Sequence, residues 1–236
     1  MRRQVVGLVL AAIATLGAGC ATTVSGNAVA ADKSGALAPP PVAVSALDPL
    51  LLDPDQINTA LGATAMKVWY EAKGMWDWSA SVSDVNCLAI DGPAQDHVYA
   101  DTGWTGMRGR RLDDSPDDSK KRTHYAIEAV VAFPSAHDAS AFYDSSKQSW
   151  VACSNRRYND VAPGKPDTIW TVASISNDNG TLSTSQVQEG GDGWSCQRAL
   201  TVRNNVAIDV VGCSYSFSGT PVNDMVTQIA ARVAKQ

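Results

Sequence analysis

The sequence is poor in histidine, and its three, His97, His124 and His137, are scattered with no HExxH or comparable metal-ligand spacing. It has no GxSxG around a serine, no phosphate-binding P-loop and no GxGxxG following a strand, so the common hydrolase and nucleotide-binding classes lack their signatures. It has no CxxC pair and no histidine near its cysteines, which argues against a structural zinc site. It also lacks an apolar run long enough to span a bilayer comfortably; the longest, Val5 to Leu16, falls short of a transmembrane helix. Finally, it lacks a basic excess. The formal charge is −5, and removal of residues 1–19 would leave 17 basic against 24 acidic side chains, a charge of −7. Nucleic acid and anionic lipid surfaces are therefore poor partners.

What is present begins with Arg2 and Arg3, the short apolar run, and small residues Gly17, Ala18 and Gly19 before Cys20. A charged start, a short apolar stretch and a small-residue cleavage site read as a secretory signal peptide over residues 1–19. A small-residue site ending at a cysteine resembles the bacterial lipobox, with Gly17 where that pattern has leucine. The resemblance implies cleavage before Cys20, acylation of Cys20, and a domain held at the outer face of the cytoplasmic membrane. Lipid chains contribute about 0.8 kcal/mol per buried methylene, enough for two or three chains to anchor a soluble domain. Residues 20–46 are small, Ala-rich and Pro-rich, with Pro39, Pro40 and Pro41 in a row, and read as a tether. Residues 47–236 remain, enough for one domain with its own core.

With Cys20 lipidated, Cys87, Cys153, Cys196 and Cys213 form an even set in an oxidising compartment. Residues Ser195 to Arg203 and Val206 to Tyr215 read as strands, and Asn204-Asn205 between them can supply the two positive φ angles of a type I′ turn. A two-residue loop places Cys196 opposite Cys213 at a non-hydrogen-bonded pair, where Cα atoms approach to about 4.5 Å. Cys87 then pairs with Cys153.

Elsewhere, Asp53, Pro54 and Gln56 have the form of a capped helix start, with Ile57 and Leu61 on one face and Gly62 as the stop. Tyr125, Ile127, Ala129, Val131 and Phe133 alternate as a strand. Ser135 caps a helix whose inward stripe is Ala139, Phe142 or Tyr143, Ser146 and Trp150. Ile169 to Ile175 and Leu182 to Gln188 read as strands around a turn at Asn177 to Gly180. A last helix starts at Thr220-Pro221 with Val222, Met225, Val226, Ile229 and Val233 at helical spacing. Antiparallel strands with helices at the start, middle and end predict an α+β domain.

Two features are candidates for function. The run from Asp113 to Asp118 lacks the spacing of a calcium loop and reads as a solvated acidic loop. Seven tryptophans are many for this length, and Trp104 and Trp194, each after a glycine, could border a groove or simply pack.

The segments AVVAFPSAHDASAFYDSSKQSWVAC (129–153), TIWTVASI (168–175) and GWSCQRALTVRNNVAIDVVGC (193–213) resemble the PknH-type extracellular sensor domain of actinobacteria. That family occurs as the outer part of transmembrane Ser/Thr kinases and as stand-alone lipoproteins; with no kinase segment, this chain resembles the latter. The resemblance implies an antiparallel sheet with flanking helices, the two disulfides Cys87–Cys153 and Cys196–Cys213, and a solvent-accessible cleft for an unidentified ligand. The expectation is a non-catalytic, ligand-binding or sensor-like lipoprotein, with no cofactor, no metal and no catalytic residues. Its partners are the membrane, through Cys20, and an unidentified small molecule or protein. The alternatives are an envelope assembly factor that docks a protein, or an uncharacterised hydrolase.

Overall fold

The computed structural model describes residues 39–236 except 118–120, 162–163 and 165. Cys20, the residues before it and most of the tether lie outside the described residues. Single 3-10 turns at Val44–Ala46 and Asp48–Leu50 lead into α1 (Pro54–Leu61) and β1 (Lys67–Ala72). A 3-10 turn at Val85–Cys87 runs into α2 (Leu88–Asp91), followed by α3 (Asp96–Tyr99), β2 (Gly106–Asp113), β3 (His124–Ala132) and α4 (Ala136–Ala152). Then come β4 (Arg157–Asp160), β5 (Thr168–Val172), β6 (Ser176–Asp178), β7 (Thr181–Gln188), β8 (Ser195–Arg203), β9 (Val206–Ser214) and α5 (Pro221–Val233). The strands form one sheet in the order β1-β2-β3-β9-β8-β7-β5-β4, with β6 also beside β7, and every pairing is antiparallel. This is the expected α+β class.

The middle of the sheet is buried on both faces because β3 and β9 are apolar on both. Ile127, Ala129 and Val131 pack with Leu200, Ala207 and Val211 toward α2, α3 and α4. Ala126, Val130 and Ala132 pack with Ala199, Ile208 and Val210 toward α1, α5 and the N-terminal turns. In α5 the stripe Val222, Met225, Val226, Ile229 and Val233 is buried as its spacing requires, each side chain contributing roughly 2 kcal/mol. In α4 the stripe is Ala139, Phe142, Ser146 and Trp150; Phe142 takes the inward place, and the Tyr143 hydroxyl instead donates to Asn177 Oδ1 at 2.8 Å. The Asp53 carboxylate accepts from the Gln56 amide at 2.9 Å while Gln56 Oε1 accepts from the Asp53 amide at 3.0 Å, and Gly62 ends α1 at φ 70°.

The β8–β9 register is the expected one, with Arg203 opposite Val206 and Cys196 opposite Cys213. The turn differs in detail: Asn204 has a positive φ of 50° but Asn205 does not. Asn205 is committed elsewhere. Its side chain accepts from the Val42 amide at 2.7 Å and donates to the carbonyls of Val42, at 3.1 Å, and Phe133, at 2.7 Å. Val42 is 5 % exposed and Leu47 fully buried, so the last residues that composition groups with the tether are packed on the domain from Val42 onward. The strand expected over Ile169 to Ile175 is broken after Val172, and the register against β7 slips by one residue between β5 and β6, as at a bulge. Asn177 and Asp178 are therefore strand residues, and the turn narrows to Asn179 and Gly180, both at positive φ.

Both disulfides are formed, Cys196–Cys213 with Cα atoms 4.0 Å apart and Cys87–Cys153 with Cα atoms 5.0 Å apart. By loop closure they contribute about 3 and 4 kcal/mol respectively.

Asp113 and Asp114, the first residues of the acidic run, are not solvated. Asp113 is buried near Arg111 and Arg122. Asp114 receives the amides of Thr123 and His124 and the Thr123 hydroxyl, closing the mouth of the β2–β3 connection. Burial raises its pKa, but these hydrogen bonds outweigh that and hold it at about 2.

Candidate functional site: a cleft floored by a disulfide

One row of residues crosses the sheet. Tyr125 pairs with Cys213, Cys213 with Cys196, Cys196 with Gln186, and Gln186 with Val172. The cystine, Tyr125 and Gln186 form part of the lining of a cleft of about 290 Å³. Trp78, Trp170 and Trp194 bring three indoles to it, and Asp91, Asp160, Arg122 and Ser81 bring its other polar groups. This mixture of aromatic surface and a few convergent polar groups is the usual composition of a small-ligand site.

Each wall is held from behind. Trp78 lies against the end of α2: a Cβ at Gly92 would fall 2.0 Å from its ring, so only glycine leaves room for the indole there. The Trp78 amide donates to Gln95 Oε1 at 2.9 Å. Trp194 packs edge-on to Tyr215 at 4.9 Å between ring centroids.

Asp91, the last residue of α2, is positioned by two clamps. At the start of the segment Cys87 is bonded to Cys153, just past α4. At its end the Arg198 guanidinium, 1 % exposed, donates to the carbonyls of Ala89 at 2.7 Å and Ile90 at 3.2 Å. Arg198 also donates to the Val210 carbonyl at 2.5 Å and to Asp209 Oδ1 at 2.8 Å. The other Asp209 oxygen accepts from the Ala94 amide at 2.9 Å and the Tyr99 hydroxyl at 3.1 Å. Every carboxylate oxygen of this buried pair is thus satisfied, which a charge out of water requires.

The Tyr158 hydroxyl lies 2.8 Å from Asp91 Oδ1 and 2.7 Å from Gln186 Oε1. One phenolic proton cannot serve two acceptors. Burial pushes Asp91 up to about 7, so close to neutrality much of it carries a proton. The Tyr158 hydroxyl donates to Asp91 when that carboxyl is ionised, and is released to donate to Gln186 when Asp91 holds the proton. Gln186 is 2 % exposed and lines the cleft, and among the described residues its amide nitrogen has no protein hydrogen-bond partner. Burial also raises Asp160. At another part of the lining, Arg122 lies over the Tyr125 ring at 4.4 Å and 3.9 Å from Asp113, while burial pushes Tyr125 up to about 12 and keeps its hydroxyl neutral.

The structure brings Cys196 and Cys213 to this site and places Cys87 and Cys153 behind it as a clamp. Of the two tryptophans that the sequence flags, Trp194 lines the cleft, whereas Trp104 packs against the core. Sequence reasoning did not reach Trp78, Asp91, Tyr158, Asp160, Gln186 or Arg122. They come from separate stretches of chain, and the one available signal was the cross-strand cystine, whose row carries Tyr125 and Gln186. Among the described residues no group of three or more His, Cys, Asp or Glu could hold a metal ion, and no helix is long and apolar enough to cross a membrane.

Comparison with known proteins gives a consistent picture. Residues 42–232 match the family model described as PknH-like extracellular domain. Over 195 residues, 83 % of this chain, the sequence is 34 % identical to the serine/threonine-protein kinase PknH of Mycobacterium bovis and, to the same degree, to that of Mycobacterium tuberculosis. The match covers 31 % and 30 % of those kinases, so the chain spans about a third of their length. The crystal structure of the extracellular domain of PknH from Mycobacterium tuberculosis superposes with a TM-score of 0.77 at 32 % identity, covering 84 % of this chain and 99 % of that one. The cleft and its cystine thus sit in a domain of extracellular, sensor-like type, and the chain belongs to the PknH-like extracellular domain family.

Proposed function

We propose that this protein is a non-catalytic, ligand-binding sensor-like lipoprotein, held at the outer face of the cytoplasmic membrane by lipid on Cys20. The observation that carries the ligand-binding half is the cleft: three indoles, and a Gln186 whose amide nitrogen has no protein partner, around a disulfide floor. Such a concave, aromatic-walled site favours a small molecule over a docked protein, which would call for a shallow exposed apolar patch. Among the described residues the large exposed apolar side chains are Tyr70, Val85, Val151, Val187 and Tyr215. The small-molecule fraction of a host envelope extract should raise the melting temperature of the wild-type protein and leave that of Trp78→Ala unchanged. Equal shifts in both would remove the cleft from the account.

Asp91 and Asp160 in one cleft, the first with its pKa lifted to about 7, favour a second reading as a hydrolase that uses a carboxyl pair. Turnover of a glycoside, ester or peptide substrate that Asp160→Asn abolishes would establish that reading and end the non-catalytic one. For the anchor, Cys20→Ala should move the protein from the membrane to the soluble fraction, or leave it as uncleaved precursor. A processed mutant that partitions into detergent like the wild type would rule out lipid at Cys20.

A further inference from the structure

We propose that the ligand of the cleft is a neutral, polyhydroxylated molecule of the saccharide class, bound with its ring faces on the indoles and its hydroxyls on the surrounding polar groups. This rests on the reading of the cleft as a ligand site and adds the chemistry of the ligand.

The charge and polarity of the lining eliminate the simpler ligand classes. The lining carries a guanidinium, Arg122, and two carboxyl groups, Asp91 and Asp160. A simple anion would meet the acids, and a simple cation would meet Arg122, which stays charged at any accessible pH. A plain hydrocarbon chain would satisfy the indoles but strip water from the polar groups without giving them partners. What remains is a molecule with no net charge, donors and acceptors close together, and apolar faces.

A pyranose or furanose ring has those properties. Its hydroxyls both donate and accept, so one ligand can accept from Arg122 and from the free Gln186 amide nitrogen while donating to Asp160. Its C–H faces carry partial positive charge and suit the negative face of an aromatic ring. The side chains for this are already in place. Gln186 is buried yet keeps its nitrogen without a protein partner, because Tyr158 occupies only its oxygen. Asp160 makes no side-chain hydrogen bond among the described residues although burial raises its pKa. The Gln186 nitrogen, on a side chain that lines the cleft, is therefore open to a ligand acceptor in place of water.

The test is titration calorimetry on the full-length protein in a detergent without a sugar headgroup. The probes are neutral pentoses, hexoses and N-acetylhexosamines with their di- and tetrasaccharides; choline, inorganic phosphate and octanoate serve as comparators. The proposal expects saturable binding of at least one neutral saccharide. Trp78→Ala and Asp160→Ala should each weaken it tenfold or more, and Tyr70→Ala, on the exposed face of β1, should leave it unchanged. If choline, phosphate or octanoate binds in the cleft and no saccharide does, the ligand class is overturned while the binding role stands. If none of the probes binds, the saccharide assignment is overturned. Saccharide binding accompanied by cleavage of the probe would support the ligand class and overturn the non-catalytic reading instead.

Discussion

Arg198→Met should lower the stability of the domain by about 3–5 kcal/mol, the usual cost of leaving one member of a buried ion pair without its partner. The substitution strands Asp209 Oδ1 and removes the donor from the Ala89, Ile90 and Val210 carbonyls. The loss is more than a local charge. Arg198 is what ties the end of α2 to β8, and α2 carries Asp91 and, one residue on, the Gly92 surface on which Trp78 rests. The near-ultraviolet circular dichroism of the cleft tryptophans should therefore weaken even under conditions where the variant stays folded. Adding Asp209→Leu should restore only part of the stability, because the Ala94 amide and the Tyr99 hydroxyl then lose their acceptor. Urea denaturation of the single and double variants reads this directly. A single-mutant loss under about 1 kcal/mol would contradict the role given to the pair.

The second large effect is on pH. Glu128 is buried in the middle of β3, where one oxygen accepts from the Leu52 amide at 2.8 Å and the other has no partner. Burial pushes it up to about 8, despite the Leu52 amide and the positive charge of Arg110 and Arg232. Asp91, also raised by burial, titrates near 7. In the unfolded chain both revert to ordinary values of 4.5 and 3.8. Between roughly pH 4 and pH 8 the folded state therefore holds protons that the unfolded state has released. Stability is fullest at the acid end of that window and falls as pH rises through it, by up to about 1.4 kcal/mol per pH unit for each group. Asp114 acts in the opposite sense, but only below about pH 4, as it protonates toward its folded value of about 2. The melting temperature should thus be several degrees higher at pH 5 than at pH 8. Glu128→Gln keeps an acceptor for Leu52, removes the charging cost, and should flatten the slope and stabilise the protein at pH 8. A melting temperature that climbs from pH 5 to pH 8 would refute the placement of these two carboxyls.

The parts of this fold that were legible in the sequence are those governed by neighbours along the chain. Asp53, Pro54, Gln56 and Gly62 write a helix start and stop in ten residues, and the Asn-Asn turn sets a register that carries Cys196 to Cys213 seventeen residues away. β1 and β2 were not legible. β1 is an edge strand with one buried residue and an irregular register between Val68 and Tyr70, while β2 interrupts its alternation with Gly109 and three arginines. Gly109 is there because a Cβ would lie 2.6 Å from the Trp76 ring, a contact made only in the folded domain. The same holds for the cleft. Asp91, Tyr158 and Gln186 are each unremarkable in their own stretch, and become a hydrogen-bonded chain only when a helix end, an edge strand and an inner strand meet. The two positive φ angles expected of Asn204 and Asn205 failed for a similar reason, since Asn205 is taken up by Val42 and Phe133 from distant parts of the chain.

The central claim is that the cleft of this extracellular-type domain holds a small molecule. Native mass spectrometry of the protein purified from its own host, beside Trp78→Ala purified in the same way, tests it most directly. The account predicts a discrete added mass on the wild-type protein, released on gentle collisional activation and absent from or much depleted in the variant. A wild-type protein carrying no added mass, or one that the Trp78→Ala variant retains in full, would contradict it.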